Sequence, residues 1–295
     1  MKRFLPICIL TILVFSSIKA QQIPPLSQYS LNPYAINPAA IATNDQLQLA
    51  FTYRKLWAGI DGSPTIQFLS GNMKVANAMG AGMKIFNYQA GPMRKTGVEL
   101  TYSYHLEINT ETRLAFGLSG LIYQFYLKKS DLEVEDPNDP VFAGEDKMIV
   151  PDASFGTYLY GENYFVGLSV PQLINRNIDL KSDNILQEKQ VRHYYLFGGY
   201  NFEINQDLML KPSLLFKFIE AGLFQVDVNT QVVYKDAFIF GLSYRSSDAI
   251  VFQLGFHYEE LLIGYSYDLS ISGLNVSTFG SHEIYARYTL PNFLQ

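Results

Sequence analysis

Between Phe224 and Ile271 apolar and polar side chains change places almost residue by residue. Phe224, Val226, Val228, Val232 and Tyr234 hold one parity; Gln225, Asp227, Asn229 and Gln231 hold the other. Phe238, Phe240, Leu242 and Tyr244 oppose Ile239, Gly241, Ser243 and Arg245, and Ile250, Phe252, Leu254, Phe256 and Tyr258 oppose Gln253, Gly255, His257 and Glu259. Leu261, Ile263, Tyr265, Tyr267, Leu269 and Ile271 oppose Gly264, Ser266, Asp268 and Ser270. Successive side chains of a strand point to opposite faces, so a period of two gives each strand one apolar and one polar face. The strands predicted here run about ten residues with short turns between them. Strands of a soluble sandwich are nearer five or six, and their polar face meets bulk water. In this chain the polar face is small and mostly neutral, while Tyr and Phe gather near the ends of the apolar face. That combination predicts an apolar surface turned out to lipid between aromatic girdles, and a polar surface turned in to a wet lumen.

The alternation continues upstream. Leu47, Leu49, Phe51 and Tyr53 oppose Gln46, Gln48, Thr52 and Arg54, and Val98, Leu100, Tyr102, Tyr104 and Leu106 oppose Glu99, Thr101, Ser103, His105 and Glu107. Further strands are expected over 113–127, 152–160, 163–170, 191–202, 208–219 and 283–290, with weaker patterns over 65–71 and 79–88. The total is about fourteen, which predicts an all-β, antiparallel, up-and-down transmembrane barrel with both ends of the sheet on the periplasmic side. The two longest linkers, 128–150 and 171–189, follow strands five and seven. Odd connections face outward and tolerate length, whereas even ones should be tight periplasmic turns. The connection after strand two is the loosest of the even set.

Composition sharpens this picture. Charged residues are 17% of the 295, below the quarter or so usual in soluble domains. No apolar run beyond the N-terminus is long enough for a spanning helix. Residues 1–20 have the form of a signal peptide for Sec-type export: Lys2 and Arg3, an apolar stretch over 4–15, then Ser16, Ser17 and Ala20 before Gln21. The single cysteine, Cys8, falls in this leader, so the mature chain offers no disulfide, thiol nucleophile or thiolate metal site. Losing Lys2, Arg3 and Lys19 takes the formal charge from −5 to −8, which gives no footing for nucleic acid. Residues 21–44 form a separate N-terminal segment ahead of a barrel spanning 45–295. Pro24, Pro25, Asn32-Pro33 and Asn37-Pro38 make it turn-rich. Leu26, Tyr29, Leu31, Tyr34, Ile36 and Ile41 make it too apolar for a solvated tail, so it is expected in the lumen or at the periplasmic mouth.

Candidate chemistry is sparse. His105 and His257 share the lumenal parity with Glu99, Glu107 and Glu259, and Ser103 lies on the face of His105. That spacing is only the strand period, and no G-x-S-x-G, H-E-x-x-H or phosphate loop accompanies it; polar lumen lining is the simpler reading. Asp131, Glu133, Glu135, Asp136, Asp139, Glu145 and Asp146 crowd one outer loop, but Pro137 and Pro140 interrupt any calcium-loop spacing, which favours a solvated acidic loop over a Ca²⁺ site. Lys84, Lys211, Lys217, Asp227, Arg245, Asp268 and Arg287 are inward charges of mixed sign, which argues against a strongly ion-selective pore. No catalytic, cofactor-binding or metal-binding residue is expected.

Ser27-Gln28-Tyr29, then Asn32-Pro33 and Asn37-Pro38, resemble the opening of the PorP/SprF family of outer-membrane proteins. Arg54, Trp57, Gly59 and Pro64 resemble its next motif, and His282-Glu283 before the last strand is also similar. The resemblance implies a non-enzymatic barrel in the outer membrane lipid, part of the type IX secretion and gliding-motility machinery. It implies contacts with periplasmic ring and lipoprotein components, and docking of a secreted adhesin or enzyme bearing a type B C-terminal domain at the cell surface. The motif residues would then be candidates for partner docking. A channel for small or hydrophobic solutes is the alternative that the barrel pattern alone permits.

Overall fold

The computed structural model describes residues 26–131, 144–174, 177–179, 187–189, 191–220, 222–273 and 278–291. The expected signal peptide, and Glu133, Glu135, Asp136 and Asp139 of the acidic loop, lie outside them. Fourteen antiparallel strands form one closed barrel. They are β1 Gln46–Lys55, β2 Thr65–Ala76, β3 Met79–Ala90, β4 Met93–Glu107, β5 Arg113–Lys128, β6 Glu145–Tyr160 and β7 Tyr164–Val170. Then come β8, in two pieces (His193–Tyr200 and Phe202–Asn205), β9 Leu208–Ile219, β10 Leu223–Tyr234, β11 Phe238–Arg245, β12 Ala249–Tyr258, β13 Leu261–Ser270 and β14 Ser281–Pro291. The ring closes where β1 pairs with β14, from Gln46 opposite Pro291 to Lys55 opposite His282. Closure matters because lipid offers no partner to a free strand edge. No helix among the described residues is long and apolar enough to cross a membrane.

The two faces are sorted as a lipid solvent demands. Leu100, Leu242 and Leu254 are 62%, 54% and 55% exposed, whereas the inward Ser103 and Ser266 are at 0%. Outward aromatics stand at both strand ends, with Tyr104, Tyr200, Tyr234, Phe238, Phe256 and Tyr258 at one and Phe218, Phe224 and Tyr244 at the other, while Phe51, Tyr102, Phe252 and Tyr265 lie between them. The connections divide in the same way. At the first end they are residues 77–78, 108–112, 161–163, 206–207, 235–237 and 259–260; at the second they include 56–64, 129–144, 171–192 and 271–280. Long connections mark the outer side.

Three boundaries differ from expectation. β2 runs on to Ala76, so the connection after it is the tight Asn77-Ala78 and the anomalous even loop disappears; Gly71, at an outward position, had broken the apolar parity. β4 begins at Met93 rather than Val98. β6 begins at Glu145, so residues 145–150 are strand paired with 123–128, not linker. Polarity reverses there, with Val150 and Met148 inward beside Tyr123, Phe125 and Leu127, as befits wall rising clear of lipid. A small ribbon, Asn177–Asp179 with Gln187–Lys189, lies in the long linker before β8.

Eight strands enclose about as much space as their own side chains fill. Fourteen leave a wider lumen, and residues 26–45 occupy it. Two short 3₁₀ turns, Pro33–Ala35 and Pro38–Ala40, each begin with Pro at the first helical position after an Asn, where the missing N–H costs nothing. Tyr34, Ala39 and Ile41 are almost completely buried.

Candidate functional site

The lumenal segment is held at its upper end by charge. Ser27 and Gln28 donate their backbone N–H groups to the two oxygens of Glu283 at 2.8 and 2.9 Å. The Ser27 hydroxyl donates to Asp268 at 2.7 Å and accepts from Arg54 and Arg245. Arg54 bridges Glu283 at 2.8 Å and Asp268 at 2.7 Å. Arg245 bridges Asp268 at 3.1 Å and Asp227 at 3.0 Å, and the Tyr29 hydroxyl donates to Asp227 at 3.3 Å. Two guanidiniums, three carboxylates and one serine therefore form a single buried network, none of these side chains more than 3% exposed, and Asp248, 31% exposed, joins it through Arg245 at 3.3 Å. Buried charge is tolerated only when paired and hydrogen-bonded, and this network meets that condition from β1, β10, β11, β13 and β14 at once.

Below it the segment is held by neutral bonds and by fit. Asn32 donates to Ser70 at 3.1 Å and Tyr34 to Thr101 at 2.8 Å. Lys84, ion-paired with Glu99 at 2.8 Å, sits 4.7 Å over the Tyr34 ring. Burial lifts the Tyr29 and Tyr34 phenols well above their usual range, so both remain protonated donors. Asn37 caps the second turn, accepting from Ala39 N–H at 2.8 Å while donating to the Thr157 carbonyl at 2.9 Å. Gly117 and Gly156 let the segment approach: a Cβ on either would collide with the Pro38–Ala39 backbone or the Asn37 side chain. Tyr158, Phe165 and Phe197 stack around the Ile36–Ala40 stretch.

Trp57, Gly59 and Pro64 belong to the first outer loop, which is clamped to the last one. Ala58 and Gly280 share a 2.7 Å backbone bond, as do Phe279 and Ala58, and Trp57 N–H reaches the Ser281 hydroxyl at 3.0 Å. Gly59 has φ +93°, and a side chain there would run into the Phe279 ring. The Pro64 carbonyl accepts from Leu56 N–H at 2.9 Å. His282 lies on the outer wall, hydrogen-bonded to the Tyr265 hydroxyl at 2.7 Å.

Most motif residues are thus turned inward and occupied with one another. Ser27, Gln28, Tyr29, Asn32, Asn37, Pro38, Arg54 and Glu283 are buried, while Pro33 opens the first turn. Sequence reasoning named the motif and the inward charges as separate sets; the structure joins Asp227, Arg245 and Asp268 of one to Ser27, Arg54 and Glu283 of the other. It missed the aromatic lining of β6 to β8. The available signal was Tyr195 and Phe197 flanking Leu196, apolar on both parities, which marks a wall that faces something other than water.

His105 contacts Ser103 at 2.9 Å and Tyr160 at 2.8 Å, but Ser103 is wholly buried and offers no substrate access. His257 lies at the inner rim, 3.2 Å from the Asp236 carbonyl. Asp131 pairs with Lys128, Glu145 with Lys147 and Asp146 with Lys129. Among the described residues no three His, Cys, Asp or Glu are grouped to hold a metal.

The fold is shared with solved structures of very different sequence. A Pseudomonas aeruginosa FadL homologue aligns over 87% of this chain and 93% of its own, at 11% identity and TM-score 0.50. The Ralstonia pickettii toluene transporter TbuX aligns over 86% and 92%, at 9% identity and TM-score 0.51. At such identities the likeness concerns the barrel alone. Among curated proteins none matches the chain. The model of the type IX secretion system membrane protein family PorP/SprF matches residues 18–288, nearly the whole length, and this outer-membrane barrel belongs to that family.

Proposed function

We propose that this protein is a sealed, non-enzymatic docking barrel of the type IX secretion and gliding-motility machinery. It anchors secreted proteins with a type B C-terminal domain at the cell surface and contacts the periplasmic ring and lipoprotein components from its inner rim. The observation that carries the reading is the filled lumen: residues 26–45 are bonded to wall strands on every side, and no open bore is needed by a protein that works through its rims. Residues 57–59 and 278–280, bonded to each other with Phe279 77% exposed, offer a surface for a secreted partner. The test is affinity capture of the full-length protein from membranes, with mass spectrometry of what stays attached. Ring, lipoprotein or secreted C-terminal-domain proteins are the expected catch, and a bare barrel would overturn the reading.

A channel for small or hydrophobic solutes is the rival, since the same architecture serves a protein described as a toluene transporter. Solute uptake by liposomes carrying the intact protein would favour it; uptake only after removal of residues 21–44 would favour the docking role.

A further inference from the structure

Arg54 and Glu283 face each other across the seam where the first and last strands pair. Their side chains form an ion pair at 2.8 Å, and the same Glu283 receives the N–H groups of Ser27 and Gln28. Gln28 also donates through its side-chain amide to the Glu283 carbonyl at 3.4 Å. Ser27 is also bonded to Asp268, Arg245 and Gln253 on other strands, but its N–H, that of Gln28 and the Gln28 amide all converge on Glu283 at the seam.

Its direction is equally specific. Ser27 meets groups near the outer ends of β1, β11, β13 and β14, whereas Ala42 N–H meets Asn72 at 3.1 Å and the chain enters β1 at the inner rim. The segment thus descends the lumen before the first strand begins. Along the way Pro38 and Ala39 lie against Gly117, and Asn37 against Gly156, with no room for one more carbon. The seated segment therefore has no play against β5 and β6.

We propose that the N-terminal segment is laid against the sheet before the ring closes, and that Ser27 and Gln28 act as the template that sets β1 in register with β14. Hairpin neighbours find each other through short turns, but β1 and β14 are separated by nearly the whole chain, so their pairing carries the largest loop-closure cost. A slip of one residue would also put Arg54 and Glu283 on opposite faces of the wall, one of them toward lipid. A carboxylate already bonded to Ser27 and Gln28 selects the one register in which Arg54 meets it. This assembly role is independent of which partner the finished barrel docks.

Paired cysteines test it in the whole chain, whose one cysteine, Cys8, lies in the expected signal peptide. Phe51→Cys with Ala286→Cys reports the seam, and Tyr104→Cys with Phe116→Cys reports the β4–β5 hairpin. Glu283→Ala should cut the seam disulfide yield about tenfold or more while leaving the hairpin disulfide unchanged. Asn37→Ala, which loosens the segment away from the seam, should change neither. A seam that forms normally in Glu283→Ala, or after deletion of residues 21–44, overturns the proposal. So does a parallel fall of both disulfides, which would make the segment a general stabiliser and not a template.

Discussion

The two ends of the lumenal segment are fixed by opposite means. At Ser27–Tyr29 the wall offers full charges, and the segment completes a network in which each member covers another's desolvation cost. At Ile36–Ala42 the wall offers space, with glycines in β5 and β6 where side chains would collide and aromatic rings closing over the small residues that enter. The first end depends on atoms being present and the second on atoms being absent. A charged anchor therefore fails when anything is removed, and a steric one when anything is added.

The largest expected effect comes from breaking the charged end. Arg54→Ala leaves Asp268 and Glu283 buried without their shared cation and should cost about 3–5 kcal/mol, measured by urea unfolding in detergent followed by circular dichroism. The loss should be nearly independent of salt, because the site is shielded from bulk ions. Gly117→Ala attacks the other end by addition. Its methyl group would meet the Pro38–Ala39 backbone, and about 1–3 kcal/mol should be lost in the same assay. Asn37→Ala removes a cap and its bond to the wall without adding bulk and should cost about 1 kcal/mol, read as a small shift in the urea midpoint. Glu107→Gln, at the exposed pair with Arg113 on the inner rim, should change stability by less than about 1 kcal/mol, and added salt should erase the difference. If Arg54→Ala cost no more than Glu107→Gln, the contrast between the two ends would be lost.

Much of the wall was legible because lipid outside and polarity inside impose the same alternation on each strand. β9, from Leu208 to Ile219, and β11, from Phe238 to Arg245, fall where the pattern puts them. Legibility failed where that pair of solvents changes. Residues 145–150 read as linker because the wall there leaves lipid and reverses its polarity. Gly71 hid the end of β2 because a residue without a side chain carries no parity. The motif residues could be named from the sequence, but not their association, since Ser27, Arg54, Arg245, Asp268 and Glu283 meet only when the sheet has curled into a ring. Apolar content in a proline-rich stretch signalled that residues 21–44 must pack against something. The glycines that make room for it, Gly117 and Gly156, look in sequence like ordinary small lumenal residues.

Trp57, the only tryptophan in the chain, packs against the cluster of Leu56, Ile66 and Phe68 that also receives Leu26 and Ala35 of the lumenal segment. The molecule thus carries a native optical probe beside the seat of its lumenal segment. Its indole emission should shift when that seat empties, so that unseating can be followed in unlabelled protein and distinguished from collapse of the barrel itself.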